Sequence, residues 1–467
     1  MRILLVNPPN PANYYNQEVY LPSSLLYIAS ALIEKGHELR LLDLKSPKYK
    51  NNNQTGHEEL FIQAVASFSP DLIGFGCLFS GNFTQLLRLS VLSKERFPQV
   101  PVIIGGIHPT IYALEILANC SSIDWIILSE GEESIVDFID VFKEGRSDFS
   151  KIDGFAYKNS GKIYINPKTK FIKDADSIVF PAYNLVDLAD YYVDTSLWHN
   201  PKKLQINTSV PIISSRSCPN RCNFCSMFLA MGPVWRPRSP KNVVDEIEYV
   251  YKTYNHRHFS FLDDNFSLSK PRVLEICDLI IKRKIDIQFE TPNGLAINTL
   301  DEEVLDAMVA AGMVRTYVAI ESGSDYIRNK IMRKNLSQDK IYAVTKLLKK
   351  YKELNVAAFF IIGMPEETSD TLMDTYEMIK KIEVNRVFMM NVVPFPGTEV
   401  FAQARRDNLL VDTDPDKLYL ADDRYLTNYD RFFLKPYKLE LAQLKEFREK
   451  CEQLPCVKKS TGKGGRV

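Results

Sequence analysis

Two α/β units in tandem are what this sequence of 467 residues predicts: a doubly wound parallel sheet of flavodoxin-like type, then a partial six-unit β/α barrel of TIM type, with a helical C-terminal region after them. Three observations predict it. Short β-branched or Leu-rich runs alternate with amphipathic segments from residue 1 to about 145. The alternation resumes with longer helical patterns from Pro211 to about Pro394. In both stretches the residues least suited to a core gather just after the strands, at the edge where parallel sheets bind their ligands.

In the first stretch the strand candidates are Ile3 to Val6, Leu39 to Leu42, Asp71 to Gly76, Val102 to Ile104 and Asp124 to Leu128, and the helices include Ser24 to Glu34 and Thr84 to Phe97. Gly36 stands where a helix end enters left-handed backbone. Asn7-Pro-Pro-Asn follows the first strand, Cys77-Leu-Phe-Ser80-Gly the third, Gly105-Gly106-Ile-His108 the fourth and Glu130-Gly-Glu132-Glu the fifth. A glycine pair after a strand also serves an ordinary tight turn, so the pair alone decides nothing. Residues 146–210 read as a linker with a small hairpin, Phe155-Ala-Tyr and Lys162-Ile-Tyr-Ile around Asn159-Ser-Gly.

The second series offers Pro211 to Ser215, His258 to Leu262, Asp286 to Glu290, Val314 to Ile320, Val356 to Ile362 and Arg386 to Val393 as strands, with helices that include Pro240 to Tyr254 and Gln338 to Leu354. Straight after the first of these comes Cys218-Pro-Asn-Arg-Cys222-Asn-Phe224-Cys225. Two or three residues between cysteines let a short loop bring three sulfurs together, which suits three irons of a [4Fe–4S] cube and leaves the fourth open. The rival is structural zinc, which takes four N or S ligands; no second cysteine pair and no His at finger spacing accompanies the trio. Cys277 falls inside a helical pattern and reads as a small buried apolar residue. Beyond the trio, Asp263-Asp264-Asn265 ends the second strand, and Pro292-Asn-Gly294 follows the third. Glu321-Ser322-Gly323 follows the fourth, Gly363-Met-Pro365 the fifth and Pro394-Phe-Pro-Gly397 the sixth. Asp264 and Ser322 equally suit helix N-caps.

Lys and Arg total 58 and so do Asp and Glu, so no electrostatic argument points to nucleic acid. A small-molecule, lipid or peptide substrate is expected instead. Eight cysteines in so long a chain do not make a disulfide framework, and an exposed cluster needs a reducing compartment, so the expectation is cytoplasmic. Met1-Arg-Ile-Leu-Leu-Val leads directly into a strand without a signal-peptide pattern, and the longest apolar stretch, Val356 to Met364, is too short to span a bilayer. The apolar loop Met227 to Trp235 reads as a dry lid or as a wall for an apolar substrate. Tyr419, Tyr425, Tyr429, Phe432, Phe433 and Tyr437 read as core, ahead of an amphipathic helix from Lys438 to Leu454 and a tail from Lys458 expected to be disordered. Cys451 and Cys456 lack any partner motif.

The trio, with Phe224 just before its last cysteine, resembles the signature of the radical S-adenosylmethionine (SAM) superfamily. Together with Leu25-Leu-Tyr-Ile-Ala, Gly36-His-Glu and Asp43, the strand-end residues of the first stretch resemble the cobalamin-binding (B12) domain that precedes many radical SAM cores. The resemblance covers about residues 1 to 400, and it extends both to class B radical SAM methyltransferases and to the anaerobic magnesium-protoporphyrin IX monomethyl ester cyclase branch. It implies a cobalamin-binding domain at 1–145, a linker at 146–210, a radical SAM core at 211–397 and a helical region at 398–467.

The same resemblance implies three cofactors: a [4Fe–4S] cluster on Cys218, Cys222 and Cys225, SAM, and cobalamin. Gly105 and Gly106 would let backbone approach the nucleotide tail, Ser80 and His108 would offer it hydrogen bonds, and Asn7 and Glu132 would complete that site. No Asp-x-His-x-x-Gly occurs, so no histidine is evidently supplied to cobalt, and the lower face would meet the loop from Pro8 to Tyr15. Phe224 would flank the cluster, Asp263 and Asp264 would meet the SAM ammonium, Glu321 and Ser322 its ribose and carboxylate, and Gly363 its adenine. The implied activity is reductive cleavage of SAM to a 5′-deoxyadenosyl radical that, with methylcobalamin, methylates an unactivated carbon or phosphorus, with flavodoxin or ferredoxin as reductant. A ring-forming cyclase reaction is the alternative. A non-catalytic cobalamin or iron–sulfur sensor is a third reading, against which the SAM-chelating neighbourhoods of Asp263 and Glu321 argue.

Overall fold

Strands buried on both faces read as continuous apolar runs, and Ile3, Leu4, Leu5 and Val6 are all nearly inaccessible. The computed structural model describes residues 1–11, 20–49, 51–78, 80–192, 198–412, 414–420 and 431–457, in two units. The first comprises Met1–Val193, Leu229–Gly232 and the described residues of Asp414–Thr427; the second comprises the remainder.

In the first unit β1 (Arg2–Asn7), β2 (Glu38–Asp43), β3 (Leu72–Gly76), β4 (Val102–Gly105) and β5 (Trp125–Ile127) lie parallel in the order β2-β1-β3-β4-β5. The order reverses between β1 and β3, which opens a crevice at their carboxyl ends. Helices Ser23–Glu34, Gln54–Phe68, Phe83–Arg96 and Glu132–Lys143 connect or flank these strands. Gly36 has φ 78°, as its position after the first helix requires.

One difference from expectation concerns residues 155–166, read above as part of a linker. They form β6 (Phe155–Asn159) and β7 (Lys162–Asn166), and β6 pairs antiparallel with β5, so the sheet has seven strands. The three-residue β5 would otherwise leave its N–H and C=O groups unpaired at an edge. Ser160 (φ 49°) and Gly161 (φ 78°) supply the two left-handed positions of the hairpin turn. Beneath this edge Phe138 packs with Trp125, Phe142, Phe149 and Phe155, ring centroids 4.8 to 5.6 Å away.

The second unit contains β8 (Val210–Ile212), β9 (Ser215–Arg216), β10 (Arg236–Pro237), β11 (His258–Phe261), β12 (Gln288–Leu295), β13 (Met313–Glu321), β14 (Asn355–Ile362) and β15 (Arg386–Asn391). Six of them form a parallel sheet in the order β15-β14-β13-β12-β11-β8, each next to its neighbour in sequence, with β8 and β15 as the two edges. That is a partial barrel, and its helices include Pro240–Tyr254, Lys270–Lys282, Glu302–Ala310, Gln338–Leu348 and Ser369–Lys381.

Several expectations need correction. The first barrel strand stops at Ile212, because Ser215 and Arg216 turn away to pair antiparallel with β10. Pro292-Asn-Gly294 lies within β12, not after it; shifts of register between Phe289 and Glu290 and between Thr291 and Leu295 mark irregularities that let a proline into a strand. The helix from Gln338 ends at Leu348, six residues early, so that the chain can turn into β14. The C-terminal helix is Leu441–Cys451, shorter at both ends, with Glu440 in a capping box. Phe433 is core, but Tyr437 is 49% exposed, its hydroxyl bonded to Asp407. Tyr425, Tyr429 and the tail from Lys458 lie outside the described residues. Cys277 is buried on helix Lys270–Lys282 as expected. Among the described residues no helix is long and apolar enough to cross a membrane.

The aromatic cluster generates a test. Phe138→Ala should destabilise the first unit by about 3–5 kcal/mol, the usual cost of emptying a buried aromatic site. Chemical denaturation followed by tryptophan fluorescence measures it through Trp125, and an unchanged midpoint would contradict the packing described.

Candidate functional site

In the second unit the cysteine loop is held before any ligand arrives. The Asp263 carboxylate, just past β11, accepts the Ser214 amide at 3.1 Å, the Ser214 hydroxyl at 2.8 Å and the Ser215 hydroxyl. Arg272 donates to the Ser214 carbonyl at 2.6 Å and to its hydroxyl at 2.9 Å. Burial pushes the Asp263 carboxyl up, against Arg272 and the serine bonds. The structure therefore gives this carboxylate a tethering position: both oxygens are already bonded to the segment that leads into Cys218. Asp264, half-buried next to it, is pushed up to about 7 by burial and by Asp263, with a bond from the Ser217 amide opposing. It caps no described helix; Ser269 occupies the N-cap position before Lys270–Lys282.

The loop itself is compact. The Cys225 amide donates to the Cys222 carbonyl at 3.1 Å, and the Asn223 carbonyl accepts the Val400 amide at 3.2 Å. Phe224 packs against a cluster that includes Ile327, Met332, Met364, Val392 and Val400, so it anchors the loop in the barrel. Cys218, Cys222 and Cys225 are half-buried thiols. Burial pushes Cys222 up to about 11 and Cys225 upward, so the pocket by itself favours protonated sulfur, and metal would displace those protons on binding. Among the described residues no three His, Cys, Asp or Glu side chains converge on one metal ion. Three thiols on one short loop are the donor set a [4Fe–4S] cluster takes, each thiolate meeting a different iron.

At the end of β13, Glu321 (φ 71°) forms an ion pair with Lys334 at 3.2 Å. Burial works against the charge on Lys334, but Glu321, Cys222 and Cys218 raise it on balance. The sequence reading missed Lys334. It arrives through left-handed Arg333 and Asn335, a path without periodic signal. Ser322 is buried and serves the turn, its hydroxyl accepting the Ser324 amide at 3.2 Å. Gly323 next to it has no room for a side chain, since a Cβ would lie 2.4 Å from the Asp374 carbonyl.

After β14, Gly363 (φ 91°) donates its amide to Glu367, a second residue the sequence reading missed. Glu367 is fully buried, and burial pushes its carboxyl up to about 8 against the amide bonds of Gly363 and Met364. Because that lies above the ordinary value of 4.5, its contribution to stability is whole below 4.5 and declines as pH rises through 8. Glu367→Gln, which keeps the acceptor and cannot ionise, should melt like the parent near pH 4.5 and above it near pH 8. Thermal melts at the two values read the difference, and an identical offset at both would show that Glu367 does not titrate in this range.

In the first unit the polar groups at the carboxyl edge are largely spent on the protein. The buried His108 ring donates through Nε2 to the Tyr419 carbonyl at 2.9 Å and accepts the Ser80 hydroxyl at Nδ1, also at 2.9 Å. Burial lowers its pKa to about 4, so the ring is neutral. The bonds expected from Ser80 and His108 to a nucleotide tail are thus made to each other and to a returning segment. Asn7 donates to Asp43 at 2.7 Å, and Asp43 also accepts the Tyr191 hydroxyl at 2.6 Å. Glu132 begins helix Glu132–Lys143, where a carboxylate suits the helix dipole. Asn82 holds the start of the loop expected below cobalt, at the Pro9 carbonyl and Asn10; Ala12 to Tyr15 lie outside the described residues. Gly105 and half-exposed Leu78 also lie at this edge, where backbone beside an apolar side chain suits a flat ring system, while Asp43 and Lys45, the latter bonded to Asn82 at 3.0 Å, bring charge to the same edge.

The two glycines separate on this geometry. A Cβ on Gly106 (φ 119°) would lie 2.2 Å from the Cys77 carbonyl, whereas on Gly105 it would make an ordinary 3.6 Å contact with Ile127. Gly106→Ala should destabilise the protein before any cofactor is added, by about 1–3 kcal/mol, and Gly105→Ala should melt like the parent. Equal melting of the two variants without cobalamin would refute the distinction.

Comparison with known proteins accords with this geometry. The family profile described as the radical SAM superfamily matches residues 212–379, and that of the B12 binding domain matches residues 17–139. An uncharacterized methyltransferase of Pyrococcus horikoshii is 29% identical over 416 residues, covering 88% of this chain and 84% of its own length. The anaerobic magnesium-protoporphyrin IX monomethyl ester cyclase of Synechocystis sp. is 26% identical over 407 residues, covering 86% of this chain and 77% of its own. The radical S-adenosylmethionine methyltransferase TsrM of Kitasatospora setae, solved with cobalamin and a [4Fe–4S] cluster bound, has the same fold, with a TM-score of 0.69 at 18% identity over 89% of this chain and 76% of that one. The chain thus carries a B12 binding domain and a radical SAM domain in one polypeptide, the domain pair of cobalamin-binding radical SAM enzymes.

Proposed function

We propose that this chain is a cobalamin-dependent methyltransferase that acts on an unactivated carbon or phosphorus centre of a small molecule, lipid or peptide in a reducing, cytoplasmic setting. The observation that carries this reading is the pairing, in one chain, of a B12 binding domain with a radical SAM domain that contains three closely spaced cysteines, which would leave one corner of a [4Fe–4S] cluster open. When bound, the cluster supplies the electron for reductive cleavage of SAM, and cobalamin supplies the methyl group.

The protein's part is placement. Cys218, Cys222 and Cys225 hold the cluster, Asp263 fixes the segment ahead of them, and Asp264 is the carboxyl left to meet the SAM ammonium. A cation there would draw its proton off. Glu321 and Lys334 provide paired charges for the ribose and carboxylate, and the Gly363 turn braced by Glu367 offers backbone to the adenine. Gly105 gives cobalamin its closest backbone approach. A flavodoxin or ferredoxin would deliver the electron. The likeness to the cyclase over most of the chain supports ring formation as the second reading.

Product analysis separates the two. Anaerobically reconstituted protein, given SAM, cobalamin, dithionite and a metabolite extract of the source cells, should yield a product heavier by one methyl group, with equal amounts of S-adenosylhomocysteine and 5′-deoxyadenosine. Deoxyadenosine alone, with a product that has lost hydrogen, would replace methylation by cyclisation. Changing all three cysteines to Ala should abolish iron binding and both nucleoside products; full iron content in that variant would remove the foundation of the reading.

A further inference from the structure

Asn265 occupies a position where asparagine ordinarily turns its side chain to the backbone. It is the residue before the short 3₁₀ turn Phe266–Leu268, yet it makes no side-chain cap. Its amide nitrogen instead points at Cys218 Sγ, 3.8 Å away. Asn265 is 3% exposed. Its Oδ1 is buried with no protein partner among the described residues, so nothing in the protein draws the amide away from sulfur. With Cys218 a thiolate, as a cluster would hold it, this is the orientation that pairs, since a thiolate only accepts and the opposite flip would set carbonyl lone pairs against it.

The position is also rigid. Asp263, two residues earlier, is bonded to Ser214 and Ser215. On the other side Phe266 is buried against Phe261 with ring centroids 4.5 Å apart, and the Ser267 hydroxyl pairs with Thr299 at 2.6 Å.

We propose that Asn265 sets the reduction potential of the cluster by donating an N–H···S hydrogen bond to the Cys218 thiolate. This rests on the reading of the cysteine trio as a [4Fe–4S] site. Potentials of such clusters depend on hydrogen bonds to their sulfurs. The cluster takes up one electron and becomes more negative. A donor on a ligand sulfur stabilises that added charge and raises the potential, so losing the donor makes the cluster harder to reduce. Asn265 acts through Cys218 and is a positioning residue, not one that touches the reacting atoms.

Full-length protein reconstituted anaerobically serves for the test, by potentiometric titration with dithionite read by EPR, alongside iron and sulfide analysis. Asn265→Leu removes the donor, and Asn265→Asp keeps the shape while replacing the donor by a carboxylate. Both should keep the iron content of the parent. At a fixed potential near the parent midpoint, Asn265→Leu should show roughly a tenfold lower ratio of reduced to oxidised cluster, equivalent to a shift of about 59 mV for one electron, and Asn265→Asp a larger drop. Asn265→Gln, if its longer amide still reaches sulfur, should return toward the parent value. An unchanged midpoint in a cluster-loaded Leu or Asp variant overturns the proposal, as does loss of the cluster from both, which would make Asn265 structural. Failure of the unaltered protein to bind a cluster would instead count against the proposed function itself.

Discussion

The buried carboxylate of Asp263 is the constraint on which the second unit's chemistry depends. A carboxylate removed from water is costly unless its lone pairs are filled, and here Ser214 and Ser215 fill them while Arg272 supplies the neighbouring charge. Those serines lie between the end of β8 and the first cysteine, so satisfying the charge also decides where the cysteine loop begins. Arg238 extends the arrangement, its amide bonded to the Ser214 carbonyl and its guanidinium paired with buried Glu246. Removing one member of such a set leaves a charge unpaired, about 3–5 kcal/mol in comparable buried pairs. Loss of the tether and loss of the cluster site are therefore expected to coincide.

Around that tether the strand ends are shaped by backbone in left-handed conformations. Ser217, Glu321, Arg333 and Asn335 all have positive φ, although none is glycine. Each costs of the order of 1–3 kcal/mol and persists because the surroundings over-determine it. Ser217 is fully buried, Glu321 is paired with Lys334, and Phe224 anchors the loop in a packed cluster. Strain of this kind belongs with a site whose groups are positioned before ligand arrives.

The first unit applies the same economy differently. Its strand-end polar groups brace loops: His108 between Ser80 and Tyr419, Asp43 between Asn7 and Tyr191, Asn82 against Pro9 and Asn10. Half-buried Gly105 and the apolar, exposed Leu78 lie at the same edge. A large, mostly uncharged ligand needs a shaped and rigid edge more than a row of free charges.

Local rules made much of this legible in the residues themselves. Apolar runs of strand length with glycine and aspartate after them determined both sheets, because strand burial on two faces admits little else; the spacing of Cys218, Cys222 and Cys225 determined that three thiols share one short loop, because only two or three residues separate them. Phe155 to Asn166 read correctly as a hairpin, since Asn159-Ser-Gly is a turn by composition, but that it would close the edge of the first sheet was not local information. Nor was the fate of individual side chains. Asp263 and Asp264 are adjacent and chemically identical, and burial raises both, yet one is consumed by Ser214 and Ser215 and the other is left half-buried. His108 and Ser80 read as ligand contacts until a carbonyl 311 residues away in sequence takes the ring's second nitrogen. Lys334 and Glu367 carried no motif. Periodicity and spacing report what neighbours in sequence must do, whereas the partner of a buried polar group is chosen by whichever distant segment packs against it, and that choice exists only in the folded chain.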